Sequence, residues 1–329
     1  MLPARTTTYA PDIFNSLKGI ILVHKPSGVL HKTLLNTLKE KISDELNEYD
    51  PRPLSSRLLI EGGHNEDKSL VQAPNLADHP LVSGPRYNPW DIKIFSPPPY
   101  LSLRSSGVTP IILGRSIGYY LRKFMRVSIV SSYHITGRFG HTTDNMFSDG
   151  NITDKHRYEH IRLPKIDRIL SRIEGRQRDR LFEASSIPLD SQEGYELAKS
   201  WPSRPLKMAR WPLIYRIRCI HLALPEFRIE VVVSNENENF LAHIIHDIGL
   251  ALRSSAYTES IRRVKFGMFD ICDSLTSCDW NIQSMLDNLK LHSDHKRVHS
   301  YLDSLRTQVQ VPDNYPHEEE RSTEIARSG

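Results

Sequence analysis

The chain has 329 residues, 39% of them hydrophobic, enough for one large packed domain or two modest ones. Lys and Arg number 43 against 39 Asp and Glu, a net charge of +4 that permits nucleic-acid contact without requiring it. No apolar run approaches the roughly 18 residues of a membrane span, and Cys219, Cys272 and Cys278, with no C-x-x-C spacing, read as reduced, mostly buried thiols of an intracellular protein.

The first nineteen residues carry Arg5 and Lys18, three threonines and one acid, Asp12, a faint version of a mitochondrial presequence. Lys18 to Leu30 reads as a short apolar strand stopped by the turn Lys25-Pro26-Ser27-Gly28. Leu34, Leu35, Leu38, Ile42 and Leu46 recur at helical spacing, so residues 31–47 form an amphipathic helix. From Glu48 to Pro99 the chain is polar and broken by prolines; short strands at Ser69–Gln72 and Asp91–Phe95 and irregular structure packed on the core are expected. The run Pro97-Pro98-Pro99-Tyr100-Leu101-Ser102-Leu103-Arg104-Ser105-Ser106-Gly107-Val108 is a stiffened loop handing over to a buried strand.

Ser116–Phe124 is a short helix carrying Arg122 and Lys123, and Val127, Ile129, Ser131, Tyr133 and Ile135 share one strand face. Gly137 to Asn151 is rich in turns. Helices follow at Pro164–Ile173 and at Ser191–Ser200, the second opened by Ser191 as N-cap. Leu213–Leu224 and Phe227–Ser234 make a hairpin, residues 237–253 an amphipathic helix and residues 281–306 a charged one, before a polar tail from Val309. Strands and helices interleave without a βαβ rhythm or a Gly-rich phosphate loop, which selects α+β. On its own Tyr133 reads as a core tyrosine. His292, His295 and His299 read as a solvated helix face rather than a metal site, and no metal or cofactor is expected.

Several phrases nevertheless stand in one order. They are Gly19-Ile-Ile-Leu-Val-His-Lys25-Pro26-Ser27-Gly28, Leu101–Gly114, Tyr133 with Gly137, Gly140, Thr143-Asp144 and Asp149-Gly150, Ser191–Ala198, and Asp247-Ile248-Gly249 with Ile261-Arg262-Arg263, Gly267 and Phe269. This order resembles the TruB-type RNA pseudouridine synthases. It is most similar to their mitochondrial branch, through phrases such as His79-Pro80-Leu81-Val82-Ser83-Gly84-Pro85 and the lack of room for a C-terminal PUA domain.

The resemblance implies a pseudouridine-synthase-like α+β fold with a mixed, largely antiparallel sheet and flanking helices. It implies a core domain at 18–275 after an N-terminal extension at 1–17, then a C-terminal helix at 276–308 packed on the domain and a disordered tail at 309–329. RNA (tRNA, mRNA or rRNA) is the implied partner, alongside other RNA-processing proteins, and the mitochondrial matrix is the implied location, with cytoplasm or nucleus as the alternative. The family's catalytic aspartate falls on Ser102, its arginine partner on Ala242, the basic residue near the base on Ser131, and the tyrosine that stacks on the target base on Tyr133. A serine without a neighbouring base is neither a usable nucleophile nor a base at neutral pH. Losing both members of an ion pair leaves no orphan charge, so Ser102 with Ala242 describes a neutral pocket. The expectation is an RNA-binding member that has lost turnover, with phosphates met by Arg104, Arg115, Arg122, Lys123, Arg262, Arg263 and Lys265. Its rivals are a working synthase using a displaced acid such as Asp91 or Asp144, and a protein-interaction scaffold without RNA.

Overall fold

In the computed structural model, the described residues are 8–51, 53–61, 69–125, 127–185, 188, 190–200, 212–292 and 295–304. The β-branched and aromatic runs of the sequence form the strands. They are β1 (Gly19–Lys25), β2 (Ser56–Glu61), β3 (Ser69–Pro74), β4 (Ile94–Phe95), β5 (Ser105–Leu113), β6 (Val130–Phe139), β7 (His141–Thr143), β8 (Ile152–Lys155), β9 (Leu213–Ala223), β10 (Glu226–Ser234), β11 (Ala256–Phe266) and β12 (Phe269–Asp270). Eight of them make one sheet in the order β1-β5-β11-β6-β10-β9, with β4 added to β5 and β12 to β11. Every pairing is antiparallel except β5 with β11, where Ser105–Gly107 runs beside Ile261–Arg263. This is the mixed, largely antiparallel α+β sheet that the sequence predicted.

The helices are α1 (Ala10–Ser16), α2 (His31–Glu48), α3 (Pro80–Ser83), α4 (Ile117–Phe124), α5 (Leu163–Ser185), α6 (Gln192–Ser200), α7 (Glu238–Ala251), α8 (Ile282–His292) and α9 (His295–Ser304). Three apolar clusters bind them to the sheet. Helices α5 and α7 set Ile166, Leu170, Ile245 and Ile248 against Ile135, Ile229 and Val231. Helices α1, α2 and α8 close over Ile21 and Val23 of β1 through Ile13, Leu34, Leu38, Ile42 and Met285. Helices α4 and α9 cover the opposite side of β1 and β5, where Tyr120, Phe124, Val298 and Leu302 meet Ile20, Leu22 and Ile112.

The α2 stripe Leu34, Leu38, Ile42 and Leu46 is buried as its spacing required. Ser191 caps α6, its hydroxyl accepting from Gly194 N at 2.9 Å, and Asn237 caps α7, accepting from Phe240 N at 2.7 Å.

The structure departs from the sequence reading in four places. Folded structure starts before residue 18, because Ile13 and Leu17 belong to the second cluster. Within residues 281–306 the described residues fall into α8 and α9, which serve different clusters: α8 buries Ile282, Met285 and Leu289 in the second cluster while α9 buries Val298 and Leu302 in the third. Strands β2 and β3 form a separate hairpin, not a segment packed on the core: Leu58, Ile60 and Leu70 are about 70% exposed. Cys219 is partly buried, but Cys272 and Cys278 are exposed free thiols, because both sit in short surface turns after the last strand. The tail at 309–329 lies outside the described residues.

The outer edge of β1 is occupied from the C-terminal end of the chain. Leu22 N donates to Asn288 Oδ1 at 2.9 Å, Leu275 N donates to Leu22 O at 2.8 Å, and His24 N donates to Leu275 O at 2.9 Å.

Candidate active site

Strand β5 begins where the proline-stiffened loop ends, and its parallel pairing with β11 fixes that loop. The pairing is close at Gly107, whose φ is +126°; a Cβ there would lie 2.1 Å from the Arg263 carbonyl oxygen. Two buried cations strap the loop from beneath. Lys25 is 0% exposed and donates Nζ to Ser105 O at 2.8 Å and Pro26 O at 3.0 Å. Arg263, also 0% exposed, donates Nε to Val108 O at 2.9 Å and a terminal nitrogen to Pro99 O at 2.7 Å. Burial brings Lys25 down to about 8, opposed by the charge of Glu238 and reinforced by that of Arg263.

Within this frame Leu101, Tyr133 and Ala242 share the first apolar cluster. Ser102 itself is exposed, and its side chain has no hydrogen-bond partner among the described residues. Tyr133 is 3% exposed and donates its hydroxyl to Glu236 Oε1 at 2.6 Å. Glu236 lies in the Ser-Asn-Glu-Asn-Glu-Asn link between β10 and α7 and is 6% exposed. Burial pushes its carboxyl up from the ordinary value of 4.5, against the hydrogen bond from Tyr133, and pushes the Tyr133 hydroxyl well above 10. Ser131 is 0% exposed; its hydroxyl makes no well-formed hydrogen bond among the described residues, yet it lies close enough to Glu236 to favour that carboxylate.

A second carboxylate stands next to this one. Glu238 accepts from Ser105 Oγ at 2.7 Å and lies 3.8 Å from the Arg104 guanidinium. Arg104 grips Asp149 at 2.9 Å and lies over the Phe147 ring, 4.7 Å from its centroid. A shallow cleft of about 300 Å³ opens between Arg104, Phe147 and Glu259, and Tyr133 is not on its lining. His31 packs against Tyr100 with the rings tilted by 32° and their centroids 4.9 Å apart, and among the described residues neither ring nitrogen has a partner. Burial, then the charges of Arg263 and Lys25, hold His31 down to about 4.

These positions revise the sequence reading. The region has no ion pair at Ser102 and Ala242, yet it is not free of charge: Lys25, Arg263 and Glu236 are buried there, and the Glu238 side chain is 8% exposed. Neither Asp91, which accepts from Asn88 N, nor Asp144, which binds Asn151, is bonded to any residue around Tyr133. Arg263 is buried rather than presented to phosphates: alternation along β11 turns it inward, where it donates to the Val108 and Pro99 carbonyls and meets the Tyr133 hydroxyl. Lys123 is held by Asp303 at 3.3 Å, whereas Arg115, Arg122, Arg262 and Lys265 are exposed, Lys265 at 3.4 Å from Asp270. Glu236 and Glu238 were missed. The signal available was an acid-bearing link before a helix N-terminus. Among the described residues no group of His, Cys, Asp and Glu is placed to hold a metal, and no helix is long and apolar enough to cross a membrane; the side chains of His295 and His299 lie outside the described set.

Residues 101–237 match the TruB family pseudouridylate synthase (N terminal domain) profile. The chain is 34% identical to the pseudouridylate synthase TRUB2, mitochondrial, of Xenopus tropicalis, over 84% of this chain and 86% of that protein. It is 30% identical to the human protein of the same name, over 83% of each. The chain belongs to the TruB family of pseudouridine synthases. A more distant human member, pseudouridylate synthase TRUB1, is 24% identical over 84% of this chain and 68% of that protein. Among solved structures, one chain of a Cbf5-Nop10-Gar1 complex is similar at 14% identity and a TM-score of 0.43, over 88% of this chain and 60% of that one. The TruB family acts on uridine in RNA, and the matched region contains the loop, the strand with Tyr133 and the link with Glu236.

Proposed function

We propose that this chain is an RNA-binding member of the TruB family that does not isomerise uridine. One observation carries this reading: where the family pattern has an aspartate and its arginine, this chain has an exposed, unpartnered Ser102 and a buried Ala242 packed in an apolar cluster. The nearby carboxylate Glu236 is already engaged by Tyr133, and the Tyr133 ring is too buried to meet a base without its cover moving. Base flipping needs an open pocket. A mitochondrial location belongs to the same reading, supported by the relatives named mitochondrial.

The test uses RNA tritiated at uridine C5. Purified chain is expected to release no tritium, and stoichiometric release would overturn the proposal. The double change Ser102→Asp with Ala242→Arg is expected to restore measurable release. A second reading, turnover through a displaced acid, is favoured by Glu236 standing 2.6 Å from the Tyr133 hydroxyl. Under that reading the wild type releases tritium and Glu236→Gln does not.

A further inference from the structure

The sheet face opposite Tyr133 plays no part in the site described above. On β6, Ser131, Tyr133 and Ile135 point into the core, so Ser132, His134, Thr136 and Arg138 point the other way. Register then lines Arg262, His134, Glu230 and Arg218 into one row across β11, β6, β10 and β9. The neighbouring rows add Lys265, Arg216, Arg228 and Arg138 to the same face. Helices α5 and α7 pack on the other side, and α4 and α9 cover the β1–β5 end and the Phe266–Phe269 corner. Among the described residues all six cations of this face are exposed.

Their charges are cancelled only in part. Arg218 pairs with Glu230, Arg228 approaches Glu226 at 3.8 Å and Lys265 approaches Asp270 at 3.4 Å. Arg138, Arg216 and Arg262 have no acid partner among the described residues. With strands about 4.8 Å apart and about 6.8 Å per two residues, the grid is roughly 14 Å by 20 Å. A protein partner would want an apolar or aromatic centre; this grid has Val232 and the imidazole of His134 among polar and charged neighbours, with the half-buried Tyr257 at its corner.

We infer that this open face is a second RNA-binding surface, one that holds phosphates without reading bases. It rests on the RNA-binding reading above and adds a site remote from the Ser102 loop. Single-strand platforms stack bases on aromatic side chains; here arginines occupy those places, so contact is electrostatic and indifferent to sequence.

The test measures binding of the full chain to a fluorescent hairpin RNA across a salt titration. Wild type is compared with the triple variant Arg138→Gln, Arg216→Gln, Arg262→Gln and with Arg104→Gln at the loop. The triple variant is expected to bind roughly tenfold or more weakly, with its log K against log salt slope shallower by about 2–3. Arg216→Gln alone, should the triple variant fold poorly, is expected to lower the slope by about 1. Unchanged binding and slope in a folded triple variant would overturn the surface while leaving the RNA-binding reading standing. A wild type that binds no RNA at low salt would overturn both. Loss of binding to phosphatidylserine vesicles with RNA binding intact would overturn it in favour of a lipid surface.

Discussion

The Tyr133 hydroxyl and the Glu236 carboxyl form a buried hydrogen bond of 2.6 Å that joins strand β6 to the link before α7. Glu236→Ala would leave the tyrosine donor unsatisfied, a cost of about 1–3 kcal/mol, whereas Glu236→Gln keeps an acceptor and should cost less. Urea unfolding of the two variants checks the order. Because burial raises Glu236 above 4.5 in the folded state, the folded chain holds a proton there that the unfolded chain has released. Stability from this group is therefore present in acid and lost as pH rises from 4.5 through the folded value. Glu236→Gln should abolish that part of the decline.

Ser102 and Ala242 should respond oppositely to single changes. Ser102→Asp adds a charge at an exposed position and should shift stability by no more than about 0.5 kcal/mol. Ala242→Arg drives a cation into a cluster where Ala242 is 1% exposed, and should cost about 3–5 kcal/mol while its partner is missing. The double variant should recover part of that loss, which thermal unfolding of the three proteins would measure.

His31 supplies an acid-side signature. With its imidazole held down to about 4, the folded chain declines a proton that the unfolded chain takes up below 6.5. Stability from this group is present above 6.5 and falls as pH drops toward 4. His31→Phe, which keeps the ring over Tyr100, should flatten the stability profile in that window.

Gly107→Ala should be among the most damaging small changes. The residue has a positive φ and a Cβ would meet the Arg263 backbone at 2.1 Å, so the β5–β11 pairing has to part. A loss of about 2–3 kcal/mol or more is expected, read from urea midpoints.

Much of the scaffold was legible because its cues are local. The α2 stripe, the 213–234 hairpin and the Tyr133 face each follow from a period of 3.6 or 2. The inward turn of Arg263 was also available, since Ile261 and Arg263 are two apart on one strand and Ile261 is plainly a core residue. What the sequence did not expose is the burial of Glu236. Its partner lies 103 residues away, and only the closing of β10 beside β6 brings the two together. Strand β3 was foreseen at Ser69–Gln72, but its partner β2 was missed for the opposite reason: Leu58 and Ile60 have the composition of a core and stay about 70% exposed, while Leu59 is only half-buried.

The seal on β1 bears on the order in which the chain can fold. Leu22 N donates to Asn288, and its carbonyl is taken by Leu275. During synthesis the first strand must therefore wait, one flank bare, until more than 260 further residues have emerged; the bond to Asn288 alone spans 266. A chain interrupted near residue 270 would carry every strand of the sheet and still leave its first one open. Completion of the earliest strand is thus a checkpoint on having made almost the whole protein.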